Sequence, residues 1–229
     1  MLKRVFEGPR FRIADMIVGF DSPSPRFLEG SWGSFDVFRV LDTPEVRIVV
    51  QSGPVPEIFE EKRIFSTDYA WALSQVGQTW IISSLRRKHE SVSWLNIFDA
   101  DFARGEIYID TGDSCRSFVS CYPLGQLMLL MINLLNQGRG VLFHGCGIKV
   151  GDKGLLFAGV SGAGKTTTAN LWKDIPEVTV LSDDRVIVRR RADGRFWLYG
   201  TPWHGDAKAA SPESAPLDKV FVLNHALAN

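Results

Sequence analysis

Cysteine is scarce. Cys115, Cys121 and Cys146 are the three in 229 residues. An odd count without paired spacing excludes a disulfide framework. The missing Cys-x-x-Cys pair removes the usual zinc pattern. Excess charge of either sign is also missing, since 26 Lys and Arg offset 26 Asp and Glu. A nucleic-acid binder carries a basic excess, so neither DNA nor RNA is expected as the main partner. The short basic runs Arg86-Arg87-Lys88 and Arg189-Arg190-Arg191 read as solvated faces. Long hydrophobic runs are lacking too. The longest, Leu127 to Leu135, is broken by Asn133 and is too short to span a bilayer. Met1-Leu2-Lys3-Arg4 does not lead into an apolar segment, so no secretory signal is expected. The expectation is a soluble, cytoplasmic protein without a membrane partner, and homo-oligomerisation is compatible with it.

Enough apolar material is present to build a core: 45% of residues are hydrophobic against 23% charged, which also argues against disorder. No repeat or low-complexity segment interrupts the chain. Residues 1–229 read as a single domain, with a mainly β portion over 1–121 and a phosphate-loop core over 122–229. In the first portion, Phe35 to Val40, Val46 to Val50, Thr79 to Ile82, Val92 to Ile97 and Glu106 to Ile109 predict short strands. Asp21 to Pro25 and Ser52 to Pro56 read as breaks. An antiparallel sheet or meander is expected there.

The second portion changes character. Leu124 to Gln137, almost continuously apolar and followed by Gly138, predicts a buried helix with a glycine C-cap. Gly140 to Val150 and Leu155 to Ala158 flank a Gly151-Asp152-Lys153-Gly154 turn and predict a hairpin. A helix is expected from Lys165 to about Lys173, stopped by Pro176. Val178 to Leu181 predicts a buried strand ending in Ser182-Asp183-Asp184. Arg185 to Arg190 and Arg195 to Tyr199 flank Ala192-Asp193-Gly194 and predict another hairpin. Asp206 to Leu217 reads as a loop and Val220 to Leu223 as a last strand.

The chemistry lies between those elements. Gly159-Val160-Ser161-Gly162-Ala163-Gly164-Lys165-Thr166 matches the phosphate-loop pattern G-x-x-x-x-G-K-[ST]. Glycines let successive N–H groups turn inward around phosphates, and the following helix points its positive end at the same anion. Gly159, Ser161, Gly162, Ala163, Gly164, Lys165, Thr166 and Thr167 are the expected nucleotide contacts. Lys165 supplies a charge to the β- and γ-phosphates, and Thr166 a hydroxyl for Mg²⁺. Asp183 and Asp184, at a strand end, suit a cation partner and a proton acceptor. His144-Gly145 and Thr201-Pro202-Trp203-His204-Gly205 are further candidates, though a lone histidine in an apolar strand is more often a core residue and the second segment reads equally well as a structural turn. The expected cofactors are ATP and Mg²⁺. No guanine-reading Asn-Lys-x-Asp motif is present, which disfavours GTP.

The order of a His-Gly strand, hairpin, phosphate loop, short helix and strand ending in Asp-Asp resembles the catalytic domain of bacterial HPr kinase/phosphorylase. The segments FHGCGIKVGDKGLLFAGVSGAGKTT, LSDDRVIV and GTPWHG look closer still to HPr-kinase-related proteins, whose wider group shares its nucleotide site with ATP-type phosphoenolpyruvate carboxykinases. The resemblance covers Gly140 to Gly205. It implies an α/β fold, a mixed sheet sandwich with a phosphate loop, preceded here by mainly antiparallel strands. It implies an ATP-dependent serine-type kinase acting on a protein or peptide serine or a small-molecule hydroxyl. Asp183 would be the general base, Asp184 with Thr166 the metal partners, and His144 a neighbour of the transferred phosphate. His204 matches only the kinase-related subgroup, with an open role. The alternative is a nucleotide-binding ATPase or switch without transferase activity.

Overall fold

The computed structural model describes residues 5–25, 28–58, 62–67, 70–84, 93–110 and 125–224. Cys115, Cys121, Arg86-Arg87-Lys88, Val92 and Leu124 lie outside them. The chain divides into two compact units, one comprising Met1–Phe11, Met16–Trp32 and Val40–Leu130, the other Arg12–Asp15, Gly33–Arg39 and Met131–Asn229.

The first unit is built on an eight-stranded sheet. Its strands are β1 (Phe6–Ile13), β2 (Met16–Ser22), β3 (Val46–Ser52), β4 (Lys62–Ser66), β5 (Trp71–Val76), β6 (Thr79–Ser84), β7 (Trp94–Phe98) and β8 (Arg104–Ile109). They lie in the order β1-β2-β3-β8-β7-β6-β5-β4. From β4 through β8 the sheet is an antiparallel meander, as the turn-separated strand signals predict. β3 instead pairs in parallel with both β2 and β8, so the sheet is mixed. Val46, Ile48 and Val50 of β3 are buried while Arg47 is exposed, the alternation that one packed face requires. Phe11, Phe20 and Trp32 cluster with ring centroids 5.1–6.0 Å apart and anchor this core.

The second unit carries β9 (Val141–Val150), β10 (Lys153–Ala158), β11 (Val178–Ser182), β12 (Arg185–Arg190), β13 (Phe196–Tyr199) and β14 (Ser214–Val222). The order is β10-β14-β13-β12-β9-β11, and β10 also pairs with β9. That extra pairing closes β9, β10, β14, β13 and β12 into a five-stranded barrel, with β11 on the side of β9. Leu156, Leu181, Val186, Val188 and Leu198 form its principal core cluster. A second cluster gathers Cys146, Ile148, Phe157 and Ala169. Burial pushes the Cys146 thiol up to about 12, so it stays protonated and inert.

Two α-helices are described, α1 (Gly125–Asn136) and α2 (Lys165–Trp172). As expected, Leu127, Leu130, Met131, Leu134 and Leu135 of α1 are buried, and Gly138 follows with φ 77°. The hairpin β9–β10 is present, with Val150 opposite Lys153. Among the described residues, no helix is long and apolar enough to cross a membrane.

The α/β sandwich expectation is overturned. The protein is mainly β, with an eight-stranded mixed sheet, a five-stranded barrel and only short helical segments among the described residues. An α/β fold needs apolar helix faces to cover its sheet. The helix after the glycine loop has eight residues and buries only Lys165 and Ala169, too little to make a layer. The barrel instead buries its inner face by closing on itself. Two local expectations also change. Phe35 to Val40 is not a strand: Gly33–Phe38 is a 3-10 helix, whose three-residue period brings Phe35 and Phe38 both inside. The predicted Asp206–Leu217 loop gives way at Ser214, where β14 begins and runs through Pro216. Trp197 to Tyr199 pair antiparallel with Pro216 to Ser214, and Leu217 onward pairs parallel with β10.

Leu198 is fully buried in the barrel core. Leu198→Ala should cost about 2–5 kcal/mol of unfolding free energy. The measurement is the urea midpoint at unchanged slope. A change under about 0.5 kcal/mol would contradict the packing.

Candidate functional site

The site belongs to the second unit and starts from β9. Residues Val141 to His144 pair with β12, and Gly147 to Val150 pair along the same side with β11. Ser182 lies opposite Gly147 and Arg185 opposite His144. β11 and β12 therefore follow one line along β9, with Asp183-Asp184 between them. Gly145 donates its N–H to the Asp184 carbonyl at 3.0 Å, which holds that break against the sheet. The fully buried Ser182 hydroxyl accepts from the N–H groups of Asp184 and Arg185 and donates to the Trp203 carbonyl at 2.9 Å. Such a serine supplies the turn with local partners.

β10 delivers the chain to the glycine loop, and α2 leaves it. Gly162 and Gly164 have φ 81° and 101°, in the left-handed region that favours glycine. Gly164 is the N-cap of α2, and no side chain caps that end. The first amides of α2 are thus left for a ligand or water. Lys165 is only 6% exposed. Its ammonium donates to the carbonyls of Gly159 and Val160, both at 2.9 Å. Gly159 and Ala163 support the loop from behind: a Cβ on Gly159 would lie 2.9 Å from the Ala163 Cβ and from the Leu223 carbonyl.

These elements enclose a cleft of about 470 Å³ lined by His144, Ser161, Gly162, Gly164, Lys165, Thr166, Thr167, Asp183, Asp184, Gly205 and Asp206. Of the expected site residues, Gly159 and Ala163 do not line it. Gly205 and Asp206 do, although Asp206 was read only as the start of a loop. His204 is exposed beside the cleft, with Nδ1 2.9 Å from the Gly205 carbonyl.

The two aspartates differ. Asp183 is 2% exposed. Its Oδ1 accepts from the Gly205 and Ala209 amides at 2.9 and 3.3 Å, and its Oδ2 from Ala207 at 2.8 Å. Asp184 is half-buried. Its Oδ1 is 3.0 Å from His144 Nε2 and accepts from Arg185 Nη1 at 2.7 Å. Desolvation, followed by the nearby Arg185 and Lys165 cations, lowers the His144 pKa below its ordinary 6.5, with Asp184 opposing. His144 is therefore neutral at pH 7.

Mg²⁺ is held typically by one or two carboxylates together with nucleotide phosphates and water. The donor set fits that mode, since Asp184 and Thr166 line the same cleft and Asp184 Oδ2 has no hydrogen bond among the described residues. Among those residues no group of three or more His, Cys, Asp or Glu could hold a metal alone. Neither a protein-family model nor a curated protein matches the chain. The chemistry of the cleft follows from its own residues.

His144 should titrate by NMR with a midpoint below 6.5, and Arg185→Gln should raise that midpoint. Because the folded-state value is depressed, the neutral ring's contribution to stability is full above pH 6.5 and is lost as pH falls through that value toward the folded one. A midpoint at or above 6.5 would contradict the described environment.

Proposed function

We propose that this chain is an ATP-dependent kinase that transfers the γ-phosphate to a hydroxyl, on a protein or peptide serine or on a small molecule. The observation that carries this reading is the single cleft joining loop residues Ser161, Gly162, Gly164, Lys165, Thr166 and Thr167 to His144, Asp183 and Asp184. A site that only bound nucleotide would need the loop. The carboxylates and imidazole that line the same cleft favour transfer over the switch alternative.

Each side chain has a task in this reading. Lys165 turns its ammonium from the Gly159 and Val160 carbonyls toward the phosphates, and the uncapped amides of α2 add fixed donors. Thr166 and Asp184 face the cation. His144, neutral and oriented by Asp184, borders the transferred group without adding a charge. Asp183 accepts the proton of the acceptor hydroxyl. Bound Mg-ATP supplies the phosphoryl group and the cation that offsets its charge. The protein contributes chiefly position and preorganised electrostatics.

Mg-ATP at about 100 times its Kd should stabilise the fold by about 2.7 kcal/mol, a rise of about 5–11 °C in Tm for a chain of this size. Lys165→Ala should remove most of that shift, and Asp184→Asn should raise the Mg²⁺ concentration needed. Asp183→Asn should leave nucleotide affinity nearly unchanged while transfer of label from ATP falls about 10²–10⁴-fold. An unchanged Tm of the wild type at millimolar Mg-ATP would sink the proposal.

A further inference from the structure

Asp183 does more than face the cleft. An ionised carboxylate offers about four acceptor positions, two on each oxygen. Oδ1 uses two, for Gly205 and Ala209, and Oδ2 uses one, for Ala207. One position on Oδ2 is left among the described residues. The three donors come from alternate residues of one segment, so the carboxylate fixes the course of Gly205 to Ala209. Lys208 holds a left-handed φ of 54° there, and its N–H closes a turn onto the Gly205 carbonyl at 3.1 Å. The preceding residues are held from the other side. Ser34 donates its hydroxyl to the Pro202 carbonyl at 2.6 Å, and Phe35 meets Trp203 edge-on at 5.6 Å.

Gly205 lines the cleft and passes close to Oδ2. A Cβ there would lie 2.7 Å from Asp183 Oδ2 and 3.3 Å from Asp184 Cβ. Its φ is not in the left-handed region, so space, not backbone conformation, requires glycine.

We propose that Gly205 and Asp206, at the start of the segment that Asp183 anchors, form the acceptor-side wall of the cleft and that Gly205 is its positioning residue, leaving Asp183 Oδ2 open to the acceptor hydroxyl. This rests on the kinase reading above. In the step, Asp183 Oδ2 takes the hydroxyl proton as the new O–P bond forms. The bond from the γ-phosphorus to its bridging oxygen breaks, and that electron pair leaves on ADP. Gly205 acts through Asp183 and touches no reacting atom. The arrangement also explains a buried carboxylate at the cleft: the same charge that orders the wall presents its remaining acceptor position where the wall lacks a side chain.

The test uses the full chain with Mg-ATP and water as the probe acceptor. Gly205→Ala, assayed well below its own Tm, should hold Mg-ATP affinity within about twofold, while phosphate release falls about tenfold or more. A loss of release at held affinity separates positioning from unfolding, which would lower binding as well. Wild-type release from Gly205→Ala, or no release from wild type with Mg-ATP bound, overturns the proposal. A readout independent of nucleotide tests the anchor: the Gly205, Ala207 and Ala209 amides should exchange slowly with solvent in the wild type and faster in Asp183→Asn. Fast exchange in the wild type overturns the anchor even if Gly205→Ala fails to fold. Failure of wild-type Mg-ATP binding with those amides still protected instead sinks the kinase reading and, with it, the acceptor-side role, leaving only the structural anchor.

Discussion

The buried carboxylate of Asp183 constrains the rest of the site. A charge at 2% exposure must be matched by donors, because leaving it unmatched in a low-dielectric interior costs several kcal/mol. Three backbone amides meet that demand. They can do so only if Gly205 to Ala209 passes directly over the break between β11 and β12. That path brings Gly205 and Asp206 to the cleft and leaves Trp203 to receive the Ser182 hydroxyl.

The glycine-loop side obeys a related rule with the sign reversed. Lys165 is buried as a cation and draws its partners from the carbonyls of Gly159 and Val160. Left-handed Gly162 and Gly164 bend the loop around it. The parallel neighbour β14 supports the loop's base, where the Leu223 N–H donates to the Ala158 carbonyl at 2.7 Å. The cleft is therefore lined by a cation on the loop side and by two carboxylates from the β11–β12 break. His144 lies within the field of both, and desolvation with the two cations outweighs the pull of Asp184.

Much of the local structure was legible because it depends on neighbours in the chain. The β9–β10 turn announces itself in Gly151-Asp152, α1 in its run of Leu and Met, and the glycine loop in its spacing. Signals failed where partners were distant. Phe35-Asp36-Val37 alternates as a strand does, but Phe35 and Phe38, three apart, share a face only in a 3-10 turn, and burial of both selects the turn. Ser214 to Pro216 reads as loop by composition, but pairing with β13 makes it strand. The role of Ser182 was readable in principle, since a serine before two aspartates at a strand end is a local turn former. Gly205 was visible only as punctuation.

The sequence by itself determined the glycine-loop segment, its helix start, the Asp183-Asp184 pair and the apolar periodicity of most strands, because these rest on backbone preferences within a few residues. Tertiary structure alone decided that the fold is mainly β. Whether a strand is covered by a helix or closes on another strand depends on pairings such as β10 with β14, over 60 residues apart at Leu156 and Val220. It also decided that His144 meets Asp184, through the register of β9 with β12. And it separated the two aspartates, adjacent in sequence, by the donors each finds: three amides for Asp183, an imidazole and a guanidinium for Asp184. Local preference fixes which groups are available, and long-range hydrogen bonding fixes which of them meet.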